Sequence, residues 1–84
     1  MSSHNRQHKI REIILDHLIL ADNTEMTRKT NLQEDLGADS LDILEICMSI
    51  EGGFAIKLKD HQHEKIKTFG DLLEMLNQTL GPEK

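Results

Sequence analysis

Gly37-Ala38-Asp39-Ser40-Leu41-Asp42-Ile43-Leu44-Glu45-Ile46-Cys47-Met48-Ser49-Ile50-Glu51-Gly52-Gly53 is the stretch whose reading decides the fold. Ile43, Ile46, Cys47 and Ile50 recur at spacings of three and four, the period of one helix face. The stretch therefore predicts a helix from about 40 to 51. Asp39 suits the N-cap, where a carboxylate accepts from free backbone N–H groups, and Asp42 adds a charge beside the positive end of the helix dipole. Gly52-Gly53 is expected to end it, since glycine tolerates left-handed backbone angles. Leu41, Leu44 and Met48 form a second apolar stripe, displaced around the helix and interleaved with Asp42 and Glu45. Two readings of that stripe are open. Either neighbouring helices wrap this one widely, or the stripe stays exposed, rimmed by acids, as a docking surface. Asp39, Asp42, Glu45 and Glu51 face no base in this segment, so it carries most of the chain's net charge of −5.

Upstream, Ile10, Ile13, Ile14, Leu18 and Ala21 recur at helical spacing with His17 on the same face, predicting an amphipathic helix over about 7–20 that stops at Asp22-Asn23-Thr24. A long connection over about 22–38 follows, polar except for Met26, Leu32 and Leu36. Connections of this length are functional or held by their own apolar residues, and Leu32 and Leu36 are the expected pins. Downstream, Phe54, Ile56 and Leu58 alternate as a strand would. With no second strand to pair with, they read as an extended loop. A short helical turn is expected at about 61–66. A last helix is expected after Thr68, where Thr68-Phe69-Gly70-Asp71 approximates a capping box, with Leu72, Met75, Leu76 and Leu80 as its apolar stripe and Gly81-Pro82 as its stop.

The 84 residues suffice for one small domain. Phe54 and Phe69 are the sole aromatic residues, so aliphatic side chains and Met must fill the core, which favours an all-α bundle over a sandwich. The acidic balance argues against nucleic acid and anionic membrane as partners and suits proteins with basic patches. The single Cys47 forms no internal disulfide. No apolar run approaches a membrane-spanning length, and the polar start from Met1 to His8 lacks the apolar core of a secretory signal. These readings imply a cytoplasmic, reduced, monomeric protein with a tail at 1–8, a domain at 9–80 and a C-terminal tail at 81–84.

An isolated Asp-Ser-Leu would be no more than a helix cap. Here it opens an acidic helix after a long loop, within Leu32-Gln33-Glu34-Asp35-Leu36-Gly37-Ala38-Asp39-Ser40-Leu41-Asp42, and is followed by Phe54, Glu64-Lys65-Ile66 and Thr68-Phe69-Gly70-Asp71-Leu72. Together these segments, spread from about Ile10 to Leu80, resemble the acyl carrier protein family. The resemblance implies a four-helix bundle of three longer helices and one short. It implies that Ser40 is esterified with 4′-phosphopantetheine by a phosphopantetheinyl transferase, and that the arm's thiol carries acyl groups as thioesters. It further implies docking of acyl-transfer, condensing and modifying enzymes on Asp39, Leu41, Asp42, Leu44, Glu45 and Met48. An acyl pocket would be walled by Ile46, Ile50, Leu58, His63, Ile66, Leu72 and Met75. The sequence departs from the family where Glu51-Gly52-Gly53-Phe54 replaces an acidic run. It departs again where Lys57, Lys59, His61, Gln62 and His63 make the third segment less acidic, which points toward a specialised pathway. His63 and Leu72 are bulkier than the alanines often found at their positions.

The leading expectation is an acyl carrier for fatty-acid biosynthesis or a related acyl pathway. The alternatives are a discrete carrier for polyketide, aminoacyl or other secondary-metabolite assembly and, from another class, an unmodified acidic helical adaptor. Catalysis is not expected. Ser40 is not in a Gly-x-Ser-x-Gly turn and has no identifiable base, and Cys47 lies on the core stripe. No native metal site is expected from the histidines either. His61 and His63, two apart, do not share a helix face, and His4 and His8 fall in the expected tail.

Overall fold

The computed structural model describes residues 4–58 and 62–81. Three α-helices occur there: α1 (His4–Leu18), α2 (Ser40–Phe54) and α3 (Phe69–Leu80), with a single 3-10 turn at Gln62–Lys65 between α2 and α3. The all-α class is as expected. The fourth, short helix of the expected bundle is this one turn, and the start of its expected span, residue 61, lies outside the described residues. Among the described residues the only β pairing is an isolated bridge between Asn31 and Thr68. Residues 56–58 form neither helix nor strand, and Phe54 belongs to α2.

α1 packs against both α2 and α3, and the 3-10 turn packs against α2. The core between them is aliphatic, as the scarcity of aromatic residues requires. It joins Ile10 and Ile14 of α1, Ile43, Ile46, Cys47 and Ile50 of α2, and Phe69, Leu72, Leu73, Met75 and Leu76 of α3. Leu15 is also buried. Two members of the expected stripes lie elsewhere. Ala21 is exposed and falls beyond α1, and Leu80 is 40% exposed at the last position of α3. Leu73 takes up inward packing instead, because the helix buries a face wider than one row.

The helix boundaries differ from expectation where tertiary contacts outweigh local signals. α1 begins at His4, so residues 4–8, expected as a tail, are helical; Arg6 Nη1 donates 2.7 Å to Asn77 Oδ1 of α3. α1 ends early, at Leu18, because Ile19 adopts the left-handed conformation (φ 55°) and the Leu20 N–H turns back to the Leu15 carbonyl at 2.9 Å. α2 runs through Gly52-Gly53 to Phe54, and left-handed Ala55 (φ 55°) caps it with its N–H on the Glu51 carbonyl. Glycine permits a stop without imposing one. Here Lys9 of α1 donates to the Gly53 carbonyl at 2.7 Å and sits 4.8 Å over the Phe54 ring, holding the last turn against α1.

The long connection is fastened mainly by Leu32. Its side chain is fully buried, its N–H donates to the Lys67 carbonyl at 2.9 Å, and its carbonyl accepts from the Ala38 N–H at 2.9 Å. Leu36, the second expected pin, is partly buried against the core. Asn31 and Asp35 close the intervening turn: Asn31 Oδ1 accepts from the Gln33 and Glu34 N–H groups, and Asp35 Oδ2 accepts from the Asn31 N–H. Two further bonds tie the loop to the start of α3, Phe69 N–H to the Thr30 carbonyl and Gly70 N–H to the Arg28 carbonyl, each 2.9 Å. The second of these requires a glycine, since a Cβ at position 70 would stand 2.7 Å from the Arg28 carbonyl oxygen. Thr68 caps α3 in a full capping box with Asp71, as the sequence indicates.

Two substitutions of opposite sign follow from these backbone constraints. Gly70→Ala should cost about 1–3 kcal/mol through the clash with Arg28, lowering Tm by roughly 4–8 °C per kcal/mol. Ile19 is 90% exposed, so Ile19→Gly loses little packing and relieves a left-handed β-branched residue. A net gain of up to about 1 kcal/mol is expected. Thermal unfolding of both variants checks this, and equal Tm values for Gly70→Ala and the parent would contradict it.

Candidate functional site

The loop fastened at Leu32 delivers Ala38, Asp39 and Ser40 to the start of α2. Ala38 is buried, while Asp39 and Ser40 are exposed. Asp39 Oδ1 accepts from the Asp42 N–H at 2.8 Å and Asp42 Oδ2 accepts from the Asp39 N–H at 3.1 Å, a reciprocal box that fixes the first turn. The expected N-cap is therefore correct, and Asp42 does more than add charge. The hydrogen bond from the Asp39 N–H, helped by His17 and opposed by desolvation, holds the Asp42 carboxyl below its ordinary pKa. Ser40 is the first residue of the helix and is exposed, in a turn that it does not itself cap.

A groove of about 190 Å³ opens beside Ser40, lined by Gln33, Ser40, Ile43, His63, Glu64 and Ile66. Its floor is aliphatic and its rim polar. Of the seven residues expected to wall an acyl pocket, His63 and Ile66 line this groove. Ile46, Ile50 and Leu72 are fully buried deeper in the core and Met75 is nearly so, while Leu58 is partly exposed. Ile66 and Met75 also line a neighbouring surface depression with Lys65, Asp71, Glu74 and Gln78. Gln33, Ile43 and Glu64 were not singled out from sequence as groove residues. The signal for Gln33 was its place next to the pinned Leu32; nothing local marked the other two.

The two open readings of α2 separate cleanly. Ile43, Ile46, Cys47 and Ile50 are buried, whereas Leu41 is 60% exposed and Met48 58%, with Leu44 between them half-buried. The second stripe is thus an outer face, flanked by Asp42 and Glu45. Sequence reasoning missed the third member of that flank. His17 of α1 places Nε2 at 3.2 Å from Asp42 Oδ1 and 3.4 Å from Glu45 Oε1. Cys47, which burial and then the charge of Glu51 push up to about 11, stays a neutral thiol and offers no nucleophile.

The family model for the phosphopantetheine attachment site matches residues 8–76. The chain belongs to that family, as an acyl carrier protein. It is 40% identical over 73 residues to the acyl carrier protein of Phenylobacterium zucineum (strain HLK1), a match that spans 87% of this chain and 91% of that one. Its fold superposes on the crystal structure of an acyl carrier protein from Thermotoga maritima with a TM-score of 0.80 at 26% identity, covering 95% of this chain and 92% of that one. Such proteins are carriers and not enzymes, and their covalent group is 4′-phosphopantetheine. An exposed hydroxyl at a helix start beside a groove with an apolar floor fits such an arm. The carrier's helices are all too short or too polar to cross a membrane, among the described residues.

Proposed function

We propose that Ser40 bears the 4′-phosphopantetheine arm as a phosphodiester and that the protein carries acyl groups for fatty-acid biosynthesis or a related acyl pathway in the cytoplasm. The observation that carries this reading is the exposed Ser40 hydroxyl at the first position of α2, beside the groove of Gln33, Ile43, His63, Glu64 and Ile66. The first N–H groups of a helix have no intrahelical acceptor, and the Asp39 carboxylate takes only that of Asp42 among them. A phosphodiester on Ser40 sits where such donors and the positive dipole end favour an anion. When bound, the arm supplies a thiol that holds the acyl group as a thioester. The protein's own residues present it, keep the attachment point rigid through the Asp39–Asp42 box, and recruit partners.

Modification tests the attachment point. Incubation with coenzyme A and a broad-specificity phosphopantetheinyl transferase should add one phosphopantetheine to the intact mass. Ser40→Ala should block the addition with helical content intact. Persistence of the mass shift in Ser40→Ala would move the arm elsewhere, and no shift with several transferases would favour the unmodified adaptor.

Partner enzymes with basic patches dock, in this reading, on Asp39, Leu41, Asp42, Leu44, Glu45 and Met48. The combination of an exposed apolar stripe with flanking carboxylates supports it. Glu45→Lys or Asp42→Lys should raise KM for a partner enzyme in a salt-dependent way. Glu45→Lys should leave Tm nearly unchanged, since the side chain is half exposed. Unaltered partner kinetics in both variants would rule this face out.

Shelter for the cargo is proposed between α2 and the segment 62–76, entered by the groove at Ser40 and walled deeper by Ile46, Ile50, Leu58, Leu72 and Met75. Each sheltered methylene is worth about 0.8 kcal/mol at best, and opening a filled core costs roughly 1–3 kcal/mol. A medium acyl chain should therefore raise Tm by several degrees while a two-carbon load leaves it unchanged. His63→Ala should enlarge the response to longer chains by widening the mouth. Medium chains that leave both Tm and the chemical shifts of Ile50, Ile66 and Met75 unmoved would mean a solvent-held cargo, favouring a carrier for secondary-metabolite assembly.

A further inference from the structure

The cluster of His17 with Asp42 and Glu45 joins two helices that are 25 residues apart in sequence at the closer pair, and one ligand atom from each of the three side chains falls within 4.8 Å of the other two. We propose that these three residues form a binding site for a divalent transition-metal cation of the zinc class, tying α1 to α2 in the middle of the acidic face. This proposal stands independently of the arm on Ser40.

The first argument is geometric. Nε2 of His17 lies 3.2 Å from Asp42 Oδ1 and 3.4 Å from Glu45 Oε1. Donors bound at about 2.0–2.1 Å around a tetrahedral ion are separated by about 3.3–3.4 Å. The two separations from His17 already match that spacing, and the two carboxylate oxygens, within 4.8 Å of each other, need only a side-chain adjustment to complete it. The second is a count of protons and charges. An imidazole Nε2 carries at most one hydrogen, which satisfies one of the two carboxylates and leaves the other without a partner on His17. A divalent ion takes the Nε2 lone pair and both carboxylate charges together, and relieves the repulsion between two acids one turn apart on α2.

The third argument is orientation. Asp42 spends its other oxygen, Oδ2, on the Asp39 N–H, and its backbone N–H is held by Asp39 Oδ1. The capping box thus steers Oδ1 toward His17, as outer hydrogen bonds orient ligands in metal sites generally. Exposure is graded across the cluster: the side chains of His17 and Asp42 are 23% and 31% exposed and that of Glu45 is 49%. The inner two are half-buried, and the outer side is open enough for a fourth ligand such as water. An imidazole with two carboxylates suits Zn²⁺, Co²⁺ or Mn²⁺, whereas Mg²⁺ and Ca²⁺ prefer oxygen alone. A bound ion would cancel the two charges of Asp42 and Glu45, and so would compete with the basic patch of a docking enzyme.

Zn²⁺ and Co²⁺ titrations of the whole chain, free of chelators, test this by calorimetry, by Co²⁺ visible absorption and by Tm. One ion should bind per chain, Tm should rise by several degrees, and Co²⁺ should develop the visible bands of a low-coordinate site. His17→Gln and Glu45→Gln should each weaken binding by about 10–100-fold. Replacing His4, His8, His61 and His63 together by Gln should leave it unchanged. Binding that survives His17→Gln, or that disappears with the other four histidines, would overturn the proposal. So would an equal Tm response to Mg²⁺ that persists in His17→Gln, or no binding of either ion at submillimolar concentration.

Discussion

The structure depends on the way Leu32 closes a long polar connection. Its side chain fills a place in a core that has one fully buried aromatic ring, and its backbone bonds to Lys67 on one side and Ala38 on the other. A 21-residue connection, 19–39, without such a pin would lose more in chain entropy than scattered surface contacts return. With it, the segment before α3 and the segment before α2 become parts of one rigid assembly. The turn at Asp39–Ser40, the proposed attachment point, inherits that rigidity although it lies on the surface, and Gly70 allows the same loop to approach α3 to hydrogen-bond distance.

α2 answers two demands with one sequence. Four residues at core spacing hold the bundle, and of three more at the same spacing, rotated around the axis, Leu41 and Met48 stay outside while Leu44 is half-buried. A helix that buried both stripes would be more stable and would have no face left for a partner. The exposed Leu41 and Met48 are thus a cost in stability that fits the proposed docking of partner enzymes on this face. In that proposal their flanking acids would confer orientation and encounter rate more than affinity. His17 complicates that picture, because it brings a third polar group to the same flank from α1.

Where local signals and packing disagreed, packing prevailed. Gly52-Gly53 reads as a stop, yet Lys9 and the packing of Phe54 carry α2 one turn further. The polar start reads as a tail, yet it is helical from His4, and Arg6 meets α3. Ile19 reads as helix interior and instead terminates α1 in a left-handed conformation that nothing in its residue type favours.

The sequence by itself determined the all-α class, the core face of α2, the caps at Asp39 and Thr68, the pinning role of Leu32 and the family. All but the family rest on residues close together in the chain, where periodicity and hydrogen-bonding side chains act within a few positions; the family rests on short motifs spread from about Ile10 to Leu80, each legible by itself. Only the tertiary structure decided that Leu41 and Met48 stay outside, that Gln33, Ile43 and Glu64 join His63 beside Ser40, and that His17 meets Asp42 and Glu45. Those relations are set by how α1, α2 and the 3-10 turn pack on one another. No local pattern encodes the distance between side chains that come from separate elements.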